Sequence, residues 1–219
     1  MGERNSVHAF KGPTAEQICA GIEDAVAELG GQVHWDQRPD SDQCSLWVSH
    51  NNVVHSAVFG QRDYEIASFV AVRFNCPYLN VRIQEGSLWE YSLFLGATHL
   101  DNFSTLPEYW VDLEFPAEGE LEWLETRRGQ PQVLAQTWGI DQKRIERYLR
   151  PWGWNLGEDC FTTTLRGKAY ESDHHEAGDI WQMTDFLEAL GACAFASDEM
   201  LTNPHRLDVP ERPSGRSTR

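Results

Sequence analysis

The sequence predicts an α+β fold: one mostly antiparallel sheet, helices packed on one face, and an appended helical hairpin. Three observations carry this. From Leu79 to Leu95 the chain alternates: Leu79, Val81 and Ile83 against Asn80, Arg82 and Gln84, then Trp89, Tyr91, Leu93 and Leu95 against Glu90 and Ser92. A period of two sets one buried face against one wet face. Glu85-Gly86 and Gly96-Ala97 separate the segments, and tight glycine turns join antiparallel neighbours. Finally, strand patterns and amphipathic helix patterns follow one another as strand, strand, helix, strand, strand, strand, the order of an α+β layer.

In chain order, 1–12 is expected to be a loose arm or a short strand. Thr14 with Gln17 forms a capping box for a first helix. Ile18, Ile22, Ala25 and Leu29 follow at helical spacing, and Gly30-Gly31 stops it. Gln32 to Trp35 reads as a short strand, and 36–43, with Pro39, as a loop. Two strands, 44–49 and 53–59, are expected around a turn at His50-Asn51-Asn52. Asp63 is the expected cap of a second helix with Ile66, Phe69, Val70 and Phe74 on its apolar stripe. It ends before Cys76-Pro77, because the residue preceding proline avoids the helical region. After the meander, Pro131 opens a short helix that Gly139 ends. Asp141 caps another, with Ile145, Tyr148 and Leu149 inward. A Gly- and Trp-rich connector covers 151–157, a strand covers Phe161 to Leu165, and Asp179 opens a last helix stopped by Gly191. The domain scheme is therefore 1–128 as the sheet core, 129–201 as hairpin, extra strand and C-terminal helix packed on it, and 202–219 as a disordered tail.

The 219 residues carry a formal net charge of −16. Phosphate backbones and anionic membranes attract positive surfaces, so nucleic acid is an unfavoured partner for the chain as a whole. Five scattered cysteines with no C-x-x-C spacing argue against a disulfide framework or a cysteine zinc site. No segment approaches the ~20 apolar residues of a membrane span, and the N-terminus lacks a leader-like apolar run. A cytoplasmic protein without a cofactor is expected.

Four constellations bear on chemistry. Seven acids between Glu108 and Glu125, with no Lys or Arg among them, form either a solvated face or a docking surface for a basic partner. The segment Leu134 to Leu149 resembles a helix-turn-helix, and Arg127, Arg128, Lys143, Arg144, Arg147 and Arg150 exceed Asp141 and Glu146 by four charges. The bland alternative is an ordinary helical hairpin. Asp173, His174 and His175 offer oxygen and nitrogen ligands for a divalent metal, although adjacent histidines converge only on an irregular loop. Glu90 with His99, Asp101 and Asn102 could line a polar pocket or simply a wet sheet face. Nucleophilic catalysis has no support: there is no G-x-S-x-G, and Cys76 lies at a helix exit, where the dipole raises a thiol pKa. No P-loop or G-x-G-x-x-G is present.

Leu88-Trp89-Glu90-Tyr91, Gly96, Leu100-Asp101-Asn102-Phe103-Ser104 and Pro107-Glu108-Tyr109-Trp110 together resemble a family of acidic, uncharacterised bacterial proteins, and the likeness extends over 46–190. That resemblance implies no activity and no site residues. The leading expectation is a non-enzymatic domain that binds a basic protein, in the manner of an immunity or inhibitor protein, through Glu114, Glu118, Glu120 and Glu122, with Glu90 and Asp101. The alternatives are a metal-dependent hydrolase using Asp173, His174 and His175, and a DNA-binding regulator using Lys143, Arg144 and Arg147.

Overall fold

β1 (Asn5–Lys11) runs through the middle of a six-stranded antiparallel sheet. The structure, a computed structural model, describes residues 5–34, 45–46, 48–51, 54–57, 62–84, 86–110, 117–156, 161–163, 165–192 and 205–208. β4 (Val48–Asn51) and β5 (Val54–Ala57) form a hairpin on one side of β1. On the other side lie β6 (Pro77–Gln84), β7 (Leu88–Leu95) and β8 (Thr98–Ser104), the expected meander. Gly86 and Gly96 turn its corners with φ of 69° and 54°. At Gly96 a side chain is excluded twice over, since a Cβ would also stand 2.6 Å from Asn75 Oδ1.

The α+β class and the antiparallel sheet match the expectation, but helices cover both faces of the sheet. α1 (Ala15–Glu28) and α2 (Asp63–Phe74) pack over Phe10 and Tyr78. α4 (Pro131–Trp138), α5 (Gln182–Ala189) and the chain between them pack over Val7, Ala9, Val81, Trp89, Tyr91 and Phe103. Val7 and Ala9 of β1 thus enter one core and Phe10 the other. Of the two expectations for 1–12, the strand is the one found, at Asn5–Lys11, and it is internal to the sheet: with both faces covered, its polarity does not alternate.

Several local expectations need correction. Arg62, with φ of 62°, precedes α2 and offers no side-chain cap; the Asp63 carboxylate instead faces β1, where it accepts from Ser6 Oγ at 2.6 Å. The helix expected after Asp141 is one 3-10 turn, Gln142–Arg144, followed by hydrogen-bonded turns to 148 and a bend at 149–150. The cause is Tyr170. Its hydroxyl donates to Lys143 O at 2.5 Å and accepts from Arg147 N at 3.4 Å. Those are the two groups an α-helix would join to each other, so an inserted side chain opens the ladder. No second helix is available to lie in a DNA groove, and the helix-turn-helix resemblance fails there.

The expected connector contains β9 (Trp154–Leu156), which pairs with β10 (Phe161–Thr163). His205–Asp208, within the stretch expected to be a tail, forms strand β11 between β2 (Gln32–His34) and β3 (Ser45–Leu46). Glu120–Glu125, inside the acidic run, is a short helix, α3. The loop expected at 36–43 lies outside the described residues. Among the described residues no helix is long and apolar enough to cross a membrane.

Candidate functional site

Among the described residues, a gathering of ligating side chains lies where the 170–176 loop meets α5. α5 buries Met183, Phe186 and Leu187 in the core. Phe186 stacks on Trp89 and Tyr91, which fixes the rotation of the helix. That rotation brings Asp185 and Glu188, three residues apart and so neighbours on the helix surface, to the loop. Asp185 holds the loop down: its carboxylate accepts from His174 N at 3.0 Å and from His175 N at 2.8 Å. The ring Nδ1 of His174 lies 3.1 Å from the same carboxylate.

His174, Asp185 and Glu188 thus each present one ligand atom, and these atoms lie within 4.8 Å of one another. Two atoms each about 2.1 Å from one ion stand about 3–4 Å apart. The His174 side chain is 75% exposed and can turn; that of Asp185 is 3% exposed and anchors the set. The donors fit a divalent cation of intermediate hardness, with imidazole nitrogen beside carboxylate oxygen.

The cluster opens on a cavity of about 420 Å³ whose walls include Tyr148, Asp173, Lys143 and Arg144. Asp173 accepts from Tyr148 Oη at 2.6 Å and from Tyr170 N at 2.8 Å. Burial first, and the adjacent Asp173 second, push the Tyr148 phenol far above its ordinary range, so the proton stays on oxygen. Among the described residues, Lys143 and Arg144 form no ion pair.

No family model, curated protein or solved structure matches the chain. The chemistry of the site rests on its own atoms.

The structure divides the residues expected from sequence. Of Asp173, His174 and His175, His174 alone joins the cluster. His175 turns its Nδ1 to Asp179 at 3.0 Å, and Asp173 is committed to two tyrosines, although it lines the same cavity. Glu90 is buried under Arg82, Gln84 and Arg127, and Asp101 accepts from Tyr91 Oη and Gln130 N. Both carboxylates are enclosed and paired, and they tie strands to the following segment instead of lining an open pocket. Glu118 and Glu122 are exposed, Glu120 accepts from Ala117 N, and Glu114 lies outside the described residues.

Sequence reasoning missed Asp185 and Glu188. The available signal was their spacing of three, on the helix that follows a histidine-bearing loop. It also missed a buried chain on the far side of the sheet. There His8 Nδ1 meets Tyr78 Oη at 2.9 Å, and His8 Nε2 stands 3.4 Å from Asp63. Burial lowers the His8 pKa despite Asp63. Burial pushes Asp63 up, but hydrogen bonds from His8, Ser6 and Tyr64 N outweigh it and hold the carboxyl at about 2. His8 and Tyr78 are wholly enclosed, so this chain joins α2 to the sheet and meets no substrate. Cys76 is likewise inert, its thiol pushed up to about 11 by burial.

Proposed function

We propose that the protein binds a divalent cation at His174, Asp185 and Glu188 and uses it to hydrolyse an anionic substrate in the adjoining cavity. The observation that carries this is the convergence of three ligand atoms from two chain segments, two of them on residues, Asp185 and Glu188, that line a 420 Å³ hollow. Three protein ligands leave coordination positions open, and a bound cation supplies Lewis acidity and an activated water. Lys143 and Arg144 on the same cavity offer positive charge to the substrate.

Calorimetric titration of chelator-treated protein with Zn2+ and Mn2+ tests the cation. One site per chain is expected, with affinity at least about tenfold weaker in His174→Ala and in Glu188→Gln. Both residues are exposed, so neither change should alter thermal unfolding of the metal-free protein. Absence of binding, or equal affinity in both variants, overturns the proposal. Cation-dependent cleavage of chromogenic phosphate and carboxylate esters then tests hydrolysis.

A second reading, binding of a basic protein, draws on the net charge of −16 and on the exposed Glu118, just before α3, and Glu122, within it. Neutralising Glu118, Glu120 and Glu122 together should abolish salt-sensitive retention of a basic partner from source lysate. Retention unchanged by that triple substitution removes this reading. An immunity or inhibitor role would be its concrete form.

A further inference from the structure

A second cavity, of about 250 Å³, is lined in part by Arg147, Arg150, Arg166 and Lys168. The first two come from the turns after α4, and the other two from the 165–169 loop, so the cations meet through the fold and not through sequence proximity. Among the described residues none of the four forms an ion pair with a carboxylate, although the chain has 34 acidic residues and 18 basic ones. Like charges that surround a hollow repel one another, and in a chain this acidic, carboxylates to neutralise them are plentiful. Their absence from this lining leaves positive potential concentrated in a concave site.

The walls are built. Leu165 N donates to Trp152 O at 2.8 Å, and Ala177 N donates to Gly167 O at 3.0 Å, which pins the loop at its start and at its middle. The Arg147 guanidinium lies 5.2 Å over the Tyr170 ring and donates to Ala169 O at 3.3 Å. At the lining, Gln182 is 2% exposed. Its Oε1 accepts from the Trp152 indole at 3.3 Å. That fixes the amide orientation and leaves Nε2, which among the described residues bonds to no protein acceptor, as a donor at the cavity.

The geometry points to a binding site for the phosphate group of a small phosphorylated molecule. A phosphomonoester carries close to two negative charges at neutral pH and presents three acceptor oxygens, which guanidinium forks and an amide donor complement. The volume lies below the ~300–1,000 Å³ of drug-sized ligand pockets, so it suits a phosphate with a small body. The site is independent of the cation cluster.

The test uses the full chain with EDTA present, which silences the cation site. Inorganic phosphate and pyrophosphate are titrated calorimetrically at low ionic strength, with chloride at matched ionic strength as the control. Wild type is expected to bind both phosphates above the chloride background. Arg166→Gln/Lys168→Gln should weaken pyrophosphate at least tenfold with thermal unfolding unchanged, because both side chains are exposed. Arg73→Gln, on α2, should bind as wild type does. Three results overturn the inference: no binding beyond chloride, equal binding by the double variant, or binding of a single-stranded oligonucleotide without binding of either phosphate.

Discussion

Replacing Glu90 with alanine is expected to lower the unfolding free energy by roughly 3 kcal/mol, the loss that follows when one member of a buried ion pair is removed. Glu90 lies on β7 opposite Arg82 of β6. It accepts from Arg82 Nε at 2.5 Å, Gln84 Nε2 at 3.1 Å and Arg127 Nη1 at 3.2 Å, and is 2% exposed. The two arginines do not share the cost equally. Arg82 is 45% exposed and can turn to water, whereas Arg127 is 20% exposed, lies 4.4 Å over the Trp123 ring, and belongs to the segment whose carbonyl accepts from Ser104 N. Burial already lowers the Arg127 pKa against the pull of Glu90, so removing the acid strands a desolvated cation. Urea unfolding should show a lower midpoint at an unchanged slope. In the Glu90→Ala background, Arg127→Met should recover part of the loss, whereas Arg82→Met should recover little. A loss below about 0.5 kcal/mol would mean the cluster behaves as an exposed surface pair.

Features set by neighbouring residues were legible in the sequence. The Thr14 capping box is present with both reciprocal bonds, because capping depends on residues three apart. The meander was legible because its period and its glycine turns are local. Features set by distant partners were not. β1 carries no alternation because different helices cover its two faces. The Asp141 cap forms, yet the helix behind it stops after one turn because the Tyr170 hydroxyl occupies the groups that would continue it. Glu90 and Asp101 looked wet beside their apolar neighbours, but Arg127 and Gln130, from beyond the meander, cover them. The candidate cation site follows the same rule: Asp185 and Glu188 share a helix face, but only the loop that Asp185 fastens brings His174 to them.

Trp138→Ala should be the most destabilising single change, at about 3–5 kcal/mol, and its effect should reach the cation site. Trp138 is wholly buried at the end of α4, just before Gly139 turns the chain with φ of 65°. Its indole Nε1 donates to Leu190 O at 3.0 Å, at the C-terminal end of α5. Truncation opens a large cavity between the two helices and leaves a buried carbonyl without its donor. Trp138→Phe keeps most of the volume and loses the donor, so it should cost about 1–3 kcal/mol. Because Asp185 and Glu188 ride on α5, loosening its C-terminal end should also weaken Zn2+ or Mn2+ binding at temperatures where the variant remains folded. His174→Ala separates the two effects, since it should remove a ligand without lowering the midpoint of the metal-free protein. If Trp138→Ala weakens cation binding no more than its global instability accounts for, α4 does not position the site, and the loop held by Asp185 does so alone.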